Sequence, residues 1–117
     1  MKKLAMSLAV TLLFTLGGLA AQRPRTFTGR IMDSQCAKMG SHEMGYKMTG
    51  TNTPRECTLA CVKAGGKFVL YNSATKTIYE LDNQVKPRAF AGENVKVIGT
   101  YNASSKTIHV EKIESAG

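Results

Sequence analysis

Residues 29–70 read GRIMDSQCAKMGSHEMGYKMTGTNTPRECTLACVKAGGKFVL. This stretch holds all three cysteines of the chain and one of its two histidines. Its front continues a strand pattern. Over residues 26–33, Phe27, Gly29 and Ile31 share one face while Thr28, Arg30 and Met32 share the other, the period of a half-buried strand. Gly29 inside that pattern marks a bulge or a sharp bend. Residues 33–53 show no sustained period and carry Gly40, Gly45 and Gly50, so they read as a long loop. A loop of that length is either functional or disordered, and the cysteine and histidine within it favour a pinned, functional one. Thr53-Pro54-Arg55-Glu56 is a helix start: Thr53 caps, Pro54 suits the first helical position and Glu56 stands at the capping-box position. The helix runs through CTLACVKA and stops at Gly65-Gly66. About three turns long, it is marginal alone and needs packing or a bound ion.

Working outward, residues 67–71 (KFVLY) and 77–81 (TIYEL) form a hairpin across a polar turn. Residues 82–92 connect, and Pro87 limits any helix there to one short turn. Residues 94–101 alternate Val95, Val97 and Gly99 against Lys96, Ile98 and Thr100. In the last strand, 107–113, Ile108, Val110 and Lys112 oppose His109, Glu111 and Ile113. The pattern predicts a mainly β fold: a small five-stranded barrel of the oligonucleotide/oligosaccharide-binding (OB) type, with one short helix in the enlarged loop between strands 1 and 2. A small β-sandwich or roll has the same strand count.

The other end of the chain is a different kind of sequence. Lys2 and Lys3 precede an uncharged apolar run from Leu4 to Leu19, and Gly18, Leu19 and Ala20 supply small residues for cleavage. Residues 1–20 therefore read as a signal peptide, too short for a span and without a cysteine for lipid attachment. Residues 21–25 form a flexible lead-in, 26–114 the OB-like domain and 115–117 a frayed end. The expected location is periplasmic or secreted, with no transmembrane anchor after cleavage. The net charge is +8, but the basic residues are scattered, as on a solvated surface. Export and the lack of a basic groove with stacking aromatics argue against nucleic acid as a partner.

The ending AGENVKVIGTY with TIHVEKI resembles the last two strands of small exported bacterial OB-fold proteins. The front, GRIMDSQC followed by ECTLACVKAGGKFVL, resembles a family of that kind in which a Cys after the first strand precedes a C-x-x-x-C helix. The resemblance spans residues 26–113. It implies a fold and a compartment, and carries no established activity.

Cys57 and Cys61, four apart on the expected helix, share one face. Cys36 at the end of the first strand and His42 in the loop complete a Cys₃His set that suits tetrahedral zinc. The spacing C-x5-H-x14-C-x3-C matches no standard zinc finger. Met32, Met39, Met44 and Met48 lie nearby, and soft thiolate and thioether ligands suit copper. Methionines also fill gaps in small cores. The main alternative for the cysteines is a disulfide from Cys36 to Cys57 or Cys61, worth about 3 kcal/mol for a loop of this size. A Cys57–Cys61 bond would strain a regular helix. Export permits a disulfide. Three thiols and a histidine favour a metal.

A thiol–disulfide enzyme fits poorly, because the motif is C-x-x-x-C outside any thioredoxin-like context. Cys57 near a helix start leaves that role some chemical basis. A Cys/His hydrolase lacks any sign of an oxyanion hole. Asp33 and Glu43 have the chemistry to orient His42, but read as solvated. His109 reads as a surface residue. The expectation is a non-enzymatic binding protein holding zinc or copper through Cys36, His42, Cys57 and Cys61. The alternative is a disulfide-stapled module that binds an envelope protein or ligand without metal.

Overall fold

The computed structural model describes residues 22–117, so the expected leader lies outside the described residues. Strands form where the alternation placed them: β1 (Arg25–Asp33), β2 (Phe68–Asn72), β3 (Thr77–Leu81), β4 (Asn94–Asn102) and β5 (Thr107–Ser115). The fold is mainly β. The strands pair in the order β1-β2-β3-β5-β4, and β4 returns to β1, so the sheet closes on itself as a ring. Every pairing is antiparallel except that of β3 with β5.

β1 serves two neighbours. Arg25 to Arg30 pair with β4, and Arg30 to Asp33 pair with β2. Gly29 sits where partners change, and a Cβ there would stand 2.5 Å from the carbonyl oxygen of Tyr71. The glycine thus serves a close approach of two backbones. Inward residues of the strands, among them Ile31, Phe68, Leu70, Val95, Val97 and Ile108, fill the ring. Each such side chain contributes about 2 kcal/mol relative to leaving it exposed.

β5 departs from simple alternation. Val110 pairs with Gly99 and Lys112 with Ile98, so Glu111 is an extra residue at a register shift. The bulge reverses the phase. Ile113 therefore turns into the core with Val110, while Lys112, expected on Val110's face, is exposed. The strand continues past the expected end at Ile113, because Glu114 and Ser115 pair with Lys96 and Val95.

The seam between β3 and β5 has only two paired positions, Glu80 with Thr107 and Leu81 with Ile108. Asp82 fastens it from just beyond β3. Its Oδ1 accepts from the Val110 N–H at 2.9 Å and its Oδ2 bonds Nδ1 of His109. His109 is exposed, as expected, yet partnered. Burial raises the Asp82 carboxyl, but the bonds from Val110 and His109 outweigh it and hold the group below its ordinary value. A depressed folded value stabilises at neutral pH, and that stabilisation is lost as pH falls through the folded value. Asp82→Ala should cost about 1 kcal/mol at pH 7 in urea unfolding. The gap to the parent chain should narrow on acidification through the carboxylate range. A gap independent of pH would exclude the carboxylate clamp.

The connection from β1 to β2 is more ordered than one helix in a loop. It contains three: α1 (Ser34–Met39), α2 (Glu43–Thr49) and α3 (Pro54–Lys63). The Asp33 carboxylate accepts from the Cys36 N–H at 3.1 Å and caps α1. α1 and α2 end on Gly40 and Gly50, both left-handed, whose N–H groups donate to Ala37 and Tyr46 carbonyls. Two glycines that read as loop formers are therefore helix C-caps. Helices of six and seven residues are too short to display a period. α3 begins and ends as its signals require: Thr53 Oγ1 accepts from the Glu56 N–H, and the Gly66 N–H donates to the Cys61 carbonyl. Residues Lys86–Phe90 form one 3₁₀ turn. Among the described residues no helix is long and apolar enough to cross a membrane.

Candidate metal centre

Beside the ring core, the helical insertion and the sheet make a second, smaller core of Met32, Cys36, Ala37, Cys57, Val69 and Tyr71. Cys36 enters it from α1 and Cys57 from the first turns of α3. Cys61, half-buried one turn further along α3, packs against it. His42 arrives at the N-cap of α2 and stacks on Tyr46, with ring centroids 5.7 Å apart.

The ligand atoms of Cys36, His42 and Cys57 lie within 4.8 Å of one another, and those of Asp33, Cys36 and Cys61 do likewise. The four residues singled out in the sequence thus meet in one place, with Cys36 common to both groups. All three cysteines are free thiols. Cys36, Cys57 and Asp33 are at most 1% exposed, and His42 is 7% exposed.

The approach of α2 to the thiols depends on Gly45. A Cβ on Gly45 would stand 2.5 Å from Sγ of Cys57 and 2.7 Å from Sγ of Cys36. Helix α2 therefore lays bare backbone on the two sulfurs, which no residue with a side chain permits without a shift.

Four buried side-chain polar atoms among the described residues have no hydrogen-bond partner: Asp33 Oδ1, both ring nitrogens of His42, and Thr58 Oγ1. Three of the four belong to this cluster. Each such atom costs about 1–3 kcal/mol when left unsatisfied. A cation among these donors would satisfy the imidazole and give the buried carboxylate a counter-charge.

Burial and mutual proximity dominate the electrostatics of the cluster. Burial, then the adjacent Asp33 and the neighbouring thiols, push the Cys36 thiol well up. Burial, then Asp33 and Cys57, push Cys61 up to about 11, against a hydrogen bond with Cys36 that lowers it. Burial lowers His42, Arg30 adds to this, and Asp33 opposes it. Protonated thiols are weak nucleophiles. A neutral imidazole with three thiols is a ligand set that exchanges protons for a metal ion.

Two participants escape a reading of the sequence. Asp33, expected to be solvated, is fully buried because its carboxylate caps α1 beneath the insertion. Its position three residues before Cys36, as a cap ahead of a helix, was the available signal. Gly45 carried no signal beyond being a glycine in an apparent loop. Of the four methionines, only Met32 is buried in this core, while Met39, Met44 and Met48 are about half exposed or more. Glu43 is exposed. Comparison of the chain with protein-family models, with curated proteins and with solved structures found no match.

Proposed function

We propose that this chain is an exported, non-enzymatic metal-binding protein. It is a small barrel of the OB type whose insertion between β1 and β2 holds one ion through Cys36, His42, Cys57 and Cys61. The observation that carries the reading is a buried cluster of free thiols around a histidine whose two nitrogens have no protein partner. Three sulfurs and one nitrogen suit zinc. Copper(I) would also accept thiolates, but three of the four methionines point away from a thioether contribution by their exposure. The apolar leader supports delivery outside the cytoplasm.

Native mass spectrometry of the exported chain tests the reading. A zinc adduct with no disulfide, the cysteines having given up protons to the metal, is expected. A mass two hydrogens lower with no metal would make the cysteines a structural staple and overturn it. His42→Ala should weaken zinc binding by on the order of tenfold or more, with little change in the stability of the metal-free chain. Unchanged zinc affinity would remove His42 from the ligand set.

A further inference from the structure

The thiol cluster is not the whole of the polar chemistry at this end of the molecule. A cleft of about 510 Å³ opens beside it, within the size range of small-molecule sites. Its floor is the outward face of β1, with Thr28, Arg30 and Met32. Tyr71 of β2 and His42 and Tyr46 of the insertion supply its walls. Neither Cys36 nor Cys57 lines it, so His42 stands between the thiols and the cleft.

Two features of this lining lack partners. Arg30 is half-buried, yet the ion pairs among the described residues are His109 with Asp82 and Lys112 with Glu114, and none involves Arg30. His42 is 7% exposed, and neither ring nitrogen is bonded. Both nitrogens are shut off from solvent, so His42 lines the cleft without offering it a nitrogen, and Arg30 is the unpartnered polar group that the cleft reaches. Tyr46 and Tyr71 add phenolic O–H groups, and the Tyr71 hydroxyl lies 3.3 Å from where a Cβ of Gly40 would be. Glu43, exposed, is the one acidic residue of the lining.

We propose that this cleft binds a small carboxylate-bearing ligand. The guanidinium of Arg30 takes the carboxylate through two parallel bonds. The planar fork of arginine matches a carboxylate in this way, and a charged hydrogen bond is about twice as strong as a neutral one. The rings of Tyr46 and Tyr71 flank a short apolar portion. The site goes beyond the metal reading and does not require an ion, because Arg30 is its main anchor.

The test is a titration of the ¹⁵N-labelled exported chain, metal-free and zinc-loaded, with succinate, inorganic phosphate and the neutral succinamide. Succinate should shift the Arg30 Nε–H signal and saturate in the low millimolar range. Succinamide, and succinate with Arg30→Gln, should bind at least about tenfold more weakly. Arg30→Lys, which keeps the charge and loses the fork, should fall between, and it serves if the glutamine variant folds poorly. No saturable shift at Arg30, equal binding of succinamide, or tighter binding of phosphate than of succinate would overturn the proposal. Succinate binding by a chain that takes up no zinc would refute the metal reading alone. Zinc uptake without succinate binding would refute this one alone.

Discussion

Gly45→Ala is expected to destabilise the protein by about 1–3 kcal/mol, the usual cost of forcing atoms into a filled core, and to weaken zinc binding sharply. The sign is the informative part. In an open helix interior the same substitution stabilises by about 1 kcal/mol, because alanine is the better helix former. Here the new methyl would stand 2.5 Å and 2.7 Å from the sulfurs of Cys57 and Cys36. Either α2 lifts or the thiols spread, and both enlarge the ligand set. Urea unfolding of the metal-free chain and a competitive zinc titration measure the two effects. A stabilised variant with parental zinc affinity would show that α2 does not rest on the thiols in solution.

Zinc itself should produce the other large effect. Under the metal reading, free zinc at a thousandfold excess over its dissociation constant adds about 4 kcal/mol to the unfolding free energy. Cys57→Ser should abolish that increment, since Cys57 is wholly buried among the ligands. The gain should be local as well as global. Helices α1 and α2, of six and seven residues, are far below the length at which isolated helices persist. Amide exchange in residues 34–63 should slow most on zinc addition, and the amides of β4 and β5 least. Uniform slowing, or none, would count against an ion that organises the insertion.

How much of this was legible in advance follows from period. Strands show themselves in five residues because their repeat is two, and Val95, Val97, Ile108 and Val110 pointed inward as they alternated. Ile113 did not, because one extra residue at Glu111 reverses the phase and alternation alone cannot count a bulge. Helix α3 announced itself through Thr53, Pro54 and the paired glycines. α1 and α2 complete barely two turns each, and their capping glycines have the composition of a loop. The candidate ligands Cys36, His42, Cys57 and Cys61 stood out because three thiols and an imidazole fall within one short stretch of the chain. Asp33 and Gly45 did not, since their importance lies in where the backbone carries them: one buried under a helix it caps, the other pressed on two sulfurs.

The closure of the sheet has a consequence for the protein's behaviour among its own copies. If the two pairs joining β3 and β5 part, what remains is a wholly antiparallel ribbon in the order β3-β2-β1-β4-β5, with two free edges. Unpaired edges are templates for intermolecular strand addition. β5 would expose one such edge, although His109, Glu111 and Lys112 along it are charged or polar and discourage docking. β3, reading TIYEL, has a single charge to protect it. Asp82, which holds the seam through Val110 and His109, thereby guards the molecule against aggregation as well as against unfolding.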